Sequence, residues 1–97
     1  MHIISRKILL EYYTQHTILK DDLLSWYDEV KHSEWNSPAD IKARYASSSF
    51  LADNRVVFNI HGNACRLMVR VNYNSKTVFI KFIVTHAEYD KKNMEDL

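Results

Sequence analysis

Apolar and polar residues alternate over three successive runs in the second half of the chain, 55–60, 65–73 and 76–85. A period of two is the spacing of side chains along one face of a β-strand. The runs are rich in β-branched and aromatic residues, and the Gly-Asn pair at 62–63 and the Asn-Ser pair at 74–75 suit two-residue hairpin turns. The pattern therefore predicts three antiparallel strands joined by two tight turns.

The length of each turn predicts which residues face each other across the strands. The first turn pairs Arg55 with Arg70. The second turn pairs Arg70 with Phe79, and it also pairs Met68 with Lys81. In that register one face of the sheet is apolar throughout and must pack against helices. Its members are Val56, Phe58, Ile60, Cys65, Leu67, Val69, Val71, Tyr73, Val78, Ile80, Phe82 and Val84.

The opposite face of the predicted sheet is basic. It carries Arg55, Asn59, Arg66, Arg70 and Lys81, with Met68, Phe79 and Ile83 between them. The whole chain has a net charge of +1, yet residues 55–92 hold seven Lys and Arg against two Asp and Glu. Cations with interleaved flat or apolar side chains are typical of a surface that binds single-stranded RNA. A chance excess of charge on a solvated face is the alternative.

The first half of the chain predicts the helices that cover the apolar face. Ser5 can cap a helix over 6–14, and the acidic pair at 21–22 begins a second helix. The sequence Ser-Pro-Ala-Asp at 37–40 has the form of a capping box and begins a third. A short apolar stretch at 2–5 adds a strand beside the sheet. The expected fold is a compact α+β domain with helices packed on one face of an antiparallel sheet and a basic open face.

Other classes of protein find little support in the sequence. Cys65 is the only cysteine, so no disulfide framework or thiolate metal site is expected, and the register points it into the core. The five histidines show no metal-ligand spacing, so no metal or cofactor is expected. No apolar run reaches the roughly 18 residues of a membrane span, and the N-terminus lacks the layout of a signal peptide. We expect one cytoplasmic domain over 1–97, with 93–97 as a loose tail.

The third strand leads into a polar cluster, THAEYD, at 85–90. Histidine both takes and gives protons near neutral pH, because its unperturbed pKa is about 6.5. Cleavage of RNA without metal needs a base for the 2′-hydroxyl, cations for the phosphorane and an acid for the leaving oxygen. Four residues are candidates for these roles: His86, Tyr89, Lys81 and Arg66. Glu88 and Asp90 are expected to begin a short C-terminal helix or to orient His86.

Two motifs in this half of the chain are specific in combination. One is N-x-x-G-N-x-x-R at 59–66, and the other is THAEYD at 85–90. Trp26-Tyr27, Trp35 and SPADIK at 37–42 add to them. Together these stretches, spread over almost the whole chain from about Ile3 to Lys91, resemble the HigB family of bacterial toxins, which belongs to the wider RelE-like superfamily.

This resemblance implies a compact RelE-like fold and a toxin of a type II toxin–antitoxin system. Such a toxin cuts mRNA, commonly while the message is translated on the ribosome. The implied partner is a HigA-like antitoxin with a helix-turn-helix domain. Two alternatives stay open, both with the RelE-like fold used for binding alone: a ParE-like poison of DNA gyrase, or an inactive toxin that only binds its antitoxin.

The resemblance also implies roles for individual residues. Arg66, His86, Tyr89 and Asp90 match the family's motif, and Lys81 keeps the basic character of its position. Two departures are His61, where relatives usually have lysine, and Cys65, where they usually have an aromatic residue. With the basic face, the motif gives six candidates for RNA binding: Arg55, Asn59, His61, Asn63, Arg70 and Phe79.

Overall fold

A five-stranded sheet lies at the centre of the molecule. The structure is a computed structural model, and it describes residues 1–62 and 64–91. The elements in chain order are β1 (His2–Ile4), α1 (Arg6–Gln15), a 3-10 turn (Thr17–Leu19), α2 (Lys20–Lys31), α3 (Pro38–Arg44), β2 (Ser49–Leu51), β3 (Arg55–Ile60), β4 (Cys65–Asn72), β5 (Thr77–Thr85) and α4 (His86–Lys91). The strand order is β1-β5-β4-β3-β2.

The predicted α+β architecture is confirmed, with two differences at the edges of the sheet. Strand β1 pairs parallel to β5, so the sheet is mixed rather than wholly antiparallel. Strand β2, which the sequence did not predict, pairs antiparallel to β3. β2 is short and follows a serine-rich stretch, which gives a weak strand signal.

Helix α2 packs against the sheet through an apolar stripe. Leu23, Trp26 and Val30 are buried, and their spacing of three and four residues places them on one side of a helix. The acidic pair at 21–22 lies in the first turn and Lys31 in the last, the arrangement that the helix dipole favours. The sequence predicted the acidic start of this helix.

The predicted side-chain caps of α1 and α3 are wrong. Ser5 adopts a left-handed conformation, with φ of 72°, and its side chain makes no capping hydrogen bond. Ser37 is extended and also makes none. The N-terminus of α3 is instead closed by Asp40, whose Oδ2 accepts a hydrogen bond from the backbone N–H of Asn36 at 2.8 Å.

Aromatic rings fill the core between the helices and the sheet. Phe58 on β3 contacts Trp26, Trp35 and Tyr45, with ring centroids 5.3, 6.1 and 5.1 Å away. These separations are typical of attractive aromatic pairs. Because Phe58 is only 1% exposed and central to this cluster, its replacement by alanine would lower the free energy of unfolding by about 3–5 kcal/mol.

The strand register follows the prediction until β4 meets a bulge. Arg55 faces Arg70 across β3 and β4, as expected. Arg70 faces Phe79 across β4 and β5, also as expected. Between Met68 and Val69 the register then shifts by one, and Met68 faces Phe82. The predicted pairing of Met68 with Lys81 is therefore wrong, because Lys81 is the extra residue of a β-bulge.

This bulge exchanges the two faces of the last part of β5. Ile83 is 8% exposed and belongs to the core beneath the helices, although the prediction placed it on the open face. Phe82 and Val84 were predicted in the core and lie on the open face instead. There they form a second small apolar cluster, whose members are Leu51, Val57, Met68, Phe82 and Val84. The open face is therefore apolar at its centre rather than basic throughout.

Within the part of the chain that the structure describes, no helix is long and apolar enough to cross a membrane. The single domain over 1–97 remains a prediction, and the tail predicted at 93–97 lies outside the described residues.

Candidate catalytic and nucleic-acid site

The beginning of β4 and the end of β5 bring an arginine and a histidine into contact. Arg66 is the second residue of β4, and His86 is the first residue of α4, directly after β5. Their side chains meet with Arg66 Nη2 2.7 Å from His86 Nδ1. The sequence predicted both residues as catalytic candidates, and the fold places them together.

This contact determines the hydrogen-bonding roles of the imidazole. A guanidinium has donors only, so Nδ1 of His86 must accept the hydrogen bond from Arg66. In the neutral ring the proton then lies on Nε2. His86 is exposed, so its ring can meet a bound molecule. The arrangement presents a charged donor and an imidazole of defined tautomer at the rim of the sheet.

A capping box fixes the backbone that carries His86. The N–H and the Oγ1 of Thr85 donate to Glu88 Oε1 at 3.2 and 3.0 Å, and the N–H of Glu88 donates to Thr85 Oγ1 at 3.2 Å. The N–H of His86 donates to the carbonyl of Ala64 at 3.1 Å, which ties α4 to the turn before β4. The prediction that Glu88 helps to begin a short C-terminal helix is confirmed.

Three predicted site residues fall where the structure gives no side chain. Asn63 lies outside the described residues. Tyr89 and Asp90 belong to α4 by their backbone, but their side chains lie outside the described part of the structure. The acid role of Tyr89, the supporting role of Asp90 and the RNA-binding role of Asn63 therefore stay predictions.

A second group of predicted residues lies at the other end of the strands. Arg70 and Lys81 are exposed, and both line a cavity of about 540 Å³ together with Phe79. The Nζ atom of Lys81 lies 5.8 Å from the centroid of the Phe79 ring. Arg70 is four residues beyond Arg66 on β4, which corresponds to roughly 13 Å along a strand.

Lys81 therefore lies with the RNA-binding candidates rather than with the Arg66–His86 pair. It precedes Thr85, the last residue of β5, by four residues, again roughly 13 Å along the strand. The apolar cluster around Met68 separates the two groups. A catalytic role for Lys81 stays a prediction.

Two of the predicted RNA-binding residues make contacts within the fold. Arg55 is only 9% exposed, and its Nε donates to the carbonyl of Ala52 at 2.9 Å. Asn59 donates through Nδ2 to the carbonyl of Ser47 at 2.9 Å, which ties β3 to the segment before β2. Both contacts favour a structural role, because a buried or engaged side chain must give up a partner before it meets a phosphate.

The hairpin between β3 and β4 turns His61 toward α2. His61 has a left-handed φ of 54°, and its Nδ1 contacts the carboxylate of Asp22 on that helix. This ring therefore anchors the hairpin to α2. Cys65 lies next in the same region, fully buried, and burial raises the pKa of its thiol to about 11. The predicted core position of Cys65 is confirmed.

The family of the chain follows from comparison with known proteins. The sequence profile of the HigB toxins, described as the RelE-like toxic component of a toxin–antitoxin system, matches residues 19–92. The chain belongs to the HigB toxin family. The resemblance seen in its motifs is thereby confirmed, and membership implies an antitoxin as partner.

Individual HigB proteins match nearly the whole chain. The mRNA interferase toxin HigB of Escherichia coli (strain K12) is 32% identical over 95 residues, which cover 93% of this chain and 88% of that protein. The mRNA interferase HigB of Shigella flexneri matches with the same identity and coverage. The mRNA interferase HigB of Escherichia coli O6:H1 is 30% identical over 93 residues, covering 94% and 90% of the two chains.

The structure adds residues to this HigB site that the sequence did not single out. Asn54 and Asn74 line the cavity beside Arg70. Thr85 caps the helix of His86. The spacing T-x-x-E at 85–88 is a capping-box pattern and could have identified Thr85 in advance. Within the described residues, no three His, Cys, Asp or Glu side chains lie where they could hold a metal ion.

Proposed function

We propose that this HigB-family chain is a metal-independent mRNA endonuclease that cuts messages on translating ribosomes. We also propose that it is a cytoplasmic toxin, which a HigA-like antitoxin with a helix-turn-helix domain neutralises. One observation carries it: Arg66 contacts His86 at 2.7 Å at the rim of an open sheet face. The relatives named as mRNA interferases give independent support.

Cleavage proceeds by attack of the ribose 2′-oxygen on the neighbouring phosphorus. A base takes the proton of the 2′-hydroxyl, and the new phosphorus–oxygen bond forms as the bond to the 5′-oxygen of the next nucleotide breaks. An acid gives that leaving oxygen a proton. His86 supplies one of these two proton transfers, because imidazole is suited to both near neutral pH. Tyr89 is our candidate for the other.

Arg66 links substrate binding to the state of the histidine. In the free protein its guanidinium occupies Nδ1 of His86. A bound phosphate offers that guanidinium a charged, bidentate partner, which is a stronger interaction than a neutral imidazole. When Arg66 turns to the phosphate, Nδ1 becomes free to accept a proton. The same guanidinium then stabilises the charge that develops on the phosphorane.

The other basic group holds the message at a distance from the cut. Arg70 and Lys81 are exposed cations at the far end of the same face, where phosphates of neighbouring nucleotides can reach them. Phe79 faces Arg70 across the strands and lies near Lys81, and its ring offers a flat surface for a base. In this account Lys81 contributes to the binding of RNA, whereas Arg66 and His86 stabilise the transition state of cleavage.

Expression without an antitoxin tests the proposal. Wild type should stop growth and cut messages, whereas His86→Ala should leave both intact. His32→Ala is a matched control, because His32 is an exposed histidine at the end of α2 whose Nδ1 contacts Asp28 of the same helix. Equal cleavage by His86→Ala would remove this histidine from the mechanism.

The same experiment separates the alternatives. Induction of DNA damage signalling without cut messages would favour a gyrase poison. No growth arrest, with antitoxin binding intact, would identify an inactive toxin. Independence from metal is tested with toxin that has been treated with chelator and desalted before it is added to a translating extract, and full activity is expected.

A further inference from the structure

The cavity at the far end of the open face has the composition of a site for a nucleobase. Its volume is about 540 Å³, and it lies between the end of β4, the first part of β5 and the turn that joins β2 to β3. The residues that matter for the argument are Asn54, Arg70, Asn74, Phe79 and Lys81. The set combines an aromatic ring, two cations and two carboxamides.

Phe79 supplies a surface on which a base can stack. The ring is half-buried, so its orientation is held by the sheet while part of it stays accessible. Lys81 lies over it at 5.8 Å, near the outer limit of about 6 Å for a cation–π contact, and is exposed. An incoming base can therefore displace the ammonium group, which remains close enough to meet a phosphate.

The polar side chains of the cavity are available for recognition. Asn72 builds the turn, since its Oδ1 accepts the N–H groups of Asn74 and Ser75 at 3.1 Å each. By contrast, the carboxamides of Asn54 and Asn74 make no hydrogen bond within the described part of the chain. A carboxamide offers a donor and an acceptor side by side, which matches the edge of a base.

The position of the cavity separates it from the bond that is cut. Arg70 lies roughly 13 Å along β4 from Arg66, and the apolar cluster around Met68 lies between them. A base in the cavity therefore belongs to a nucleotide some distance from the scissile phosphate. Contacts at such a position affect which messages are chosen rather than the chemistry itself.

We infer that this cavity is a subsite for one nucleobase of the message, displaced from the cut, and that it gives the toxin its base preference. Phe79 stacks on the base, Asn54 and Asn74 read its edge, and Arg70 and Lys81 hold the adjoining phosphates. The inference rests on the proposed endonuclease function and specifies how that site selects its substrate.

Reporter messages that are randomised around the cut, added to a translating extract, test the subsite. Wild type should show a base preference at one position away from the cut. Phe79→Leu, Asn54→Ala and Asn74→Ala should flatten that preference, and loss of stacking in Phe79→Leu should lower cleavage of preferred messages roughly 5- to 150-fold. Phe79→Tyr should retain it, because its ring still stacks.

Phe82→Leu is the matched control, since Phe82 lies on the same strand and face but belongs to the apolar cluster. It should keep the preference, and thermal unfolding checks the fold of each variant. The inference is overturned if wild type has no displaced preference, if the preference survives Phe79→Leu and both asparagine variants, or if Phe79→Leu slows all messages equally. A wild type that cuts no message refutes the proposed function itself.

Discussion

Replacing Arg66, His86 or both by alanine shows whether the two side chains act as one unit. Arg66 Nη2 lies 2.7 Å from His86 Nδ1, and the account gives Arg66 two successive tasks: it holds the imidazole in the free protein, and once it has turned to the bound phosphate it stabilises the phosphorane. Loss of a positioned charge stabiliser typically costs about 10²–10³-fold in rate. Loss of a general acid or base typically costs about 10²–10⁴-fold.

Independent contributions would multiply, so the double variant would lose about 10⁴–10⁷-fold. Residues that act as a unit behave differently, because the second replacement removes little that the first has left. We therefore expect the double variant to be no more than about tenfold slower than the worse single variant. At 1.36 kcal/mol for each factor of ten, the coupling energy would be roughly 1.5–4 kcal/mol.

The assay is single-turnover cleavage of a defined message with purified toxin variants in a translating extract. Arg66→Lys adds a finer test, since it keeps the charge but lacks the planar fork of the guanidinium. It should recover part of the activity. Thermal unfolding and antitoxin binding confirm that each variant folds. Losses that multiply in the double variant would refute the coupled site.

Three further predictions concern the structure around the site. Ile83→Ala truncates a side chain that the bulge places in the core, so it should cost about 2–5 kcal/mol of unfolding free energy in denaturant titrations, whereas Lys81→Ala keeps the bulge and the filled core and should change it by less than about 1 kcal/mol. Thr85→Ala breaks the capping box, so it should lower the free energy of unfolding by roughly 0.5–2 kcal/mol and slow cleavage. Thr85→Ser keeps the hydroxyl and should restore both the stability and the cleavage rate. Unchanged cleavage in Thr85→Ala would contradict the role of the capping box in positioning His86. Burial raises the pKa of the Cys65 thiol from 9.0 to about 11. Because the unfolded thiol ionises first, wild type should lose stability between pH 9 and about 11, and Cys65→Ala should show a shallower decline in the same denaturant assay.

The sequence was most informative where the alternation of apolar and polar side chains agreed with the length of the turns. Two-residue turns and a continuous apolar face predicted that Arg55 faces Arg70, and the structure has this pair. The bulge at Lys81 could not be predicted in the same way. The run 80–84 is apolar at every position except Lys81, so either register places hydrophobic side chains on both faces. Only packing against the helices selects Ile83 for the core.

The residues of the site were more predictable than their grouping. A motif could identify Arg66 and His86, but their contact depends on how the start of β4 meets the end of β5 in space. The sequence placed Arg55 on the open face, but it could not show that Arg55 Nε donates a hydrogen bond to the carbonyl of Ala52 in the preceding loop. His61 was expected to face RNA, and a left-handed turn directs it to Asp22. Each difference arises from a tertiary contact between segments that local patterns treat separately.

The ends of the cleaved message test the central claim most directly. Attack by the 2′-oxygen, assisted by His86 and Arg66, leaves a 2′,3′-cyclic phosphate on the upstream fragment and a 5′-hydroxyl on the downstream one. Mass spectrometry of fragments from a short message cut in a translating extract distinguishes these ends from those of hydrolysis by an activated water. The account predicts the cyclic phosphate and the 5′-hydroxyl. A 5′-phosphate with a 3′-hydroxyl would contradict it.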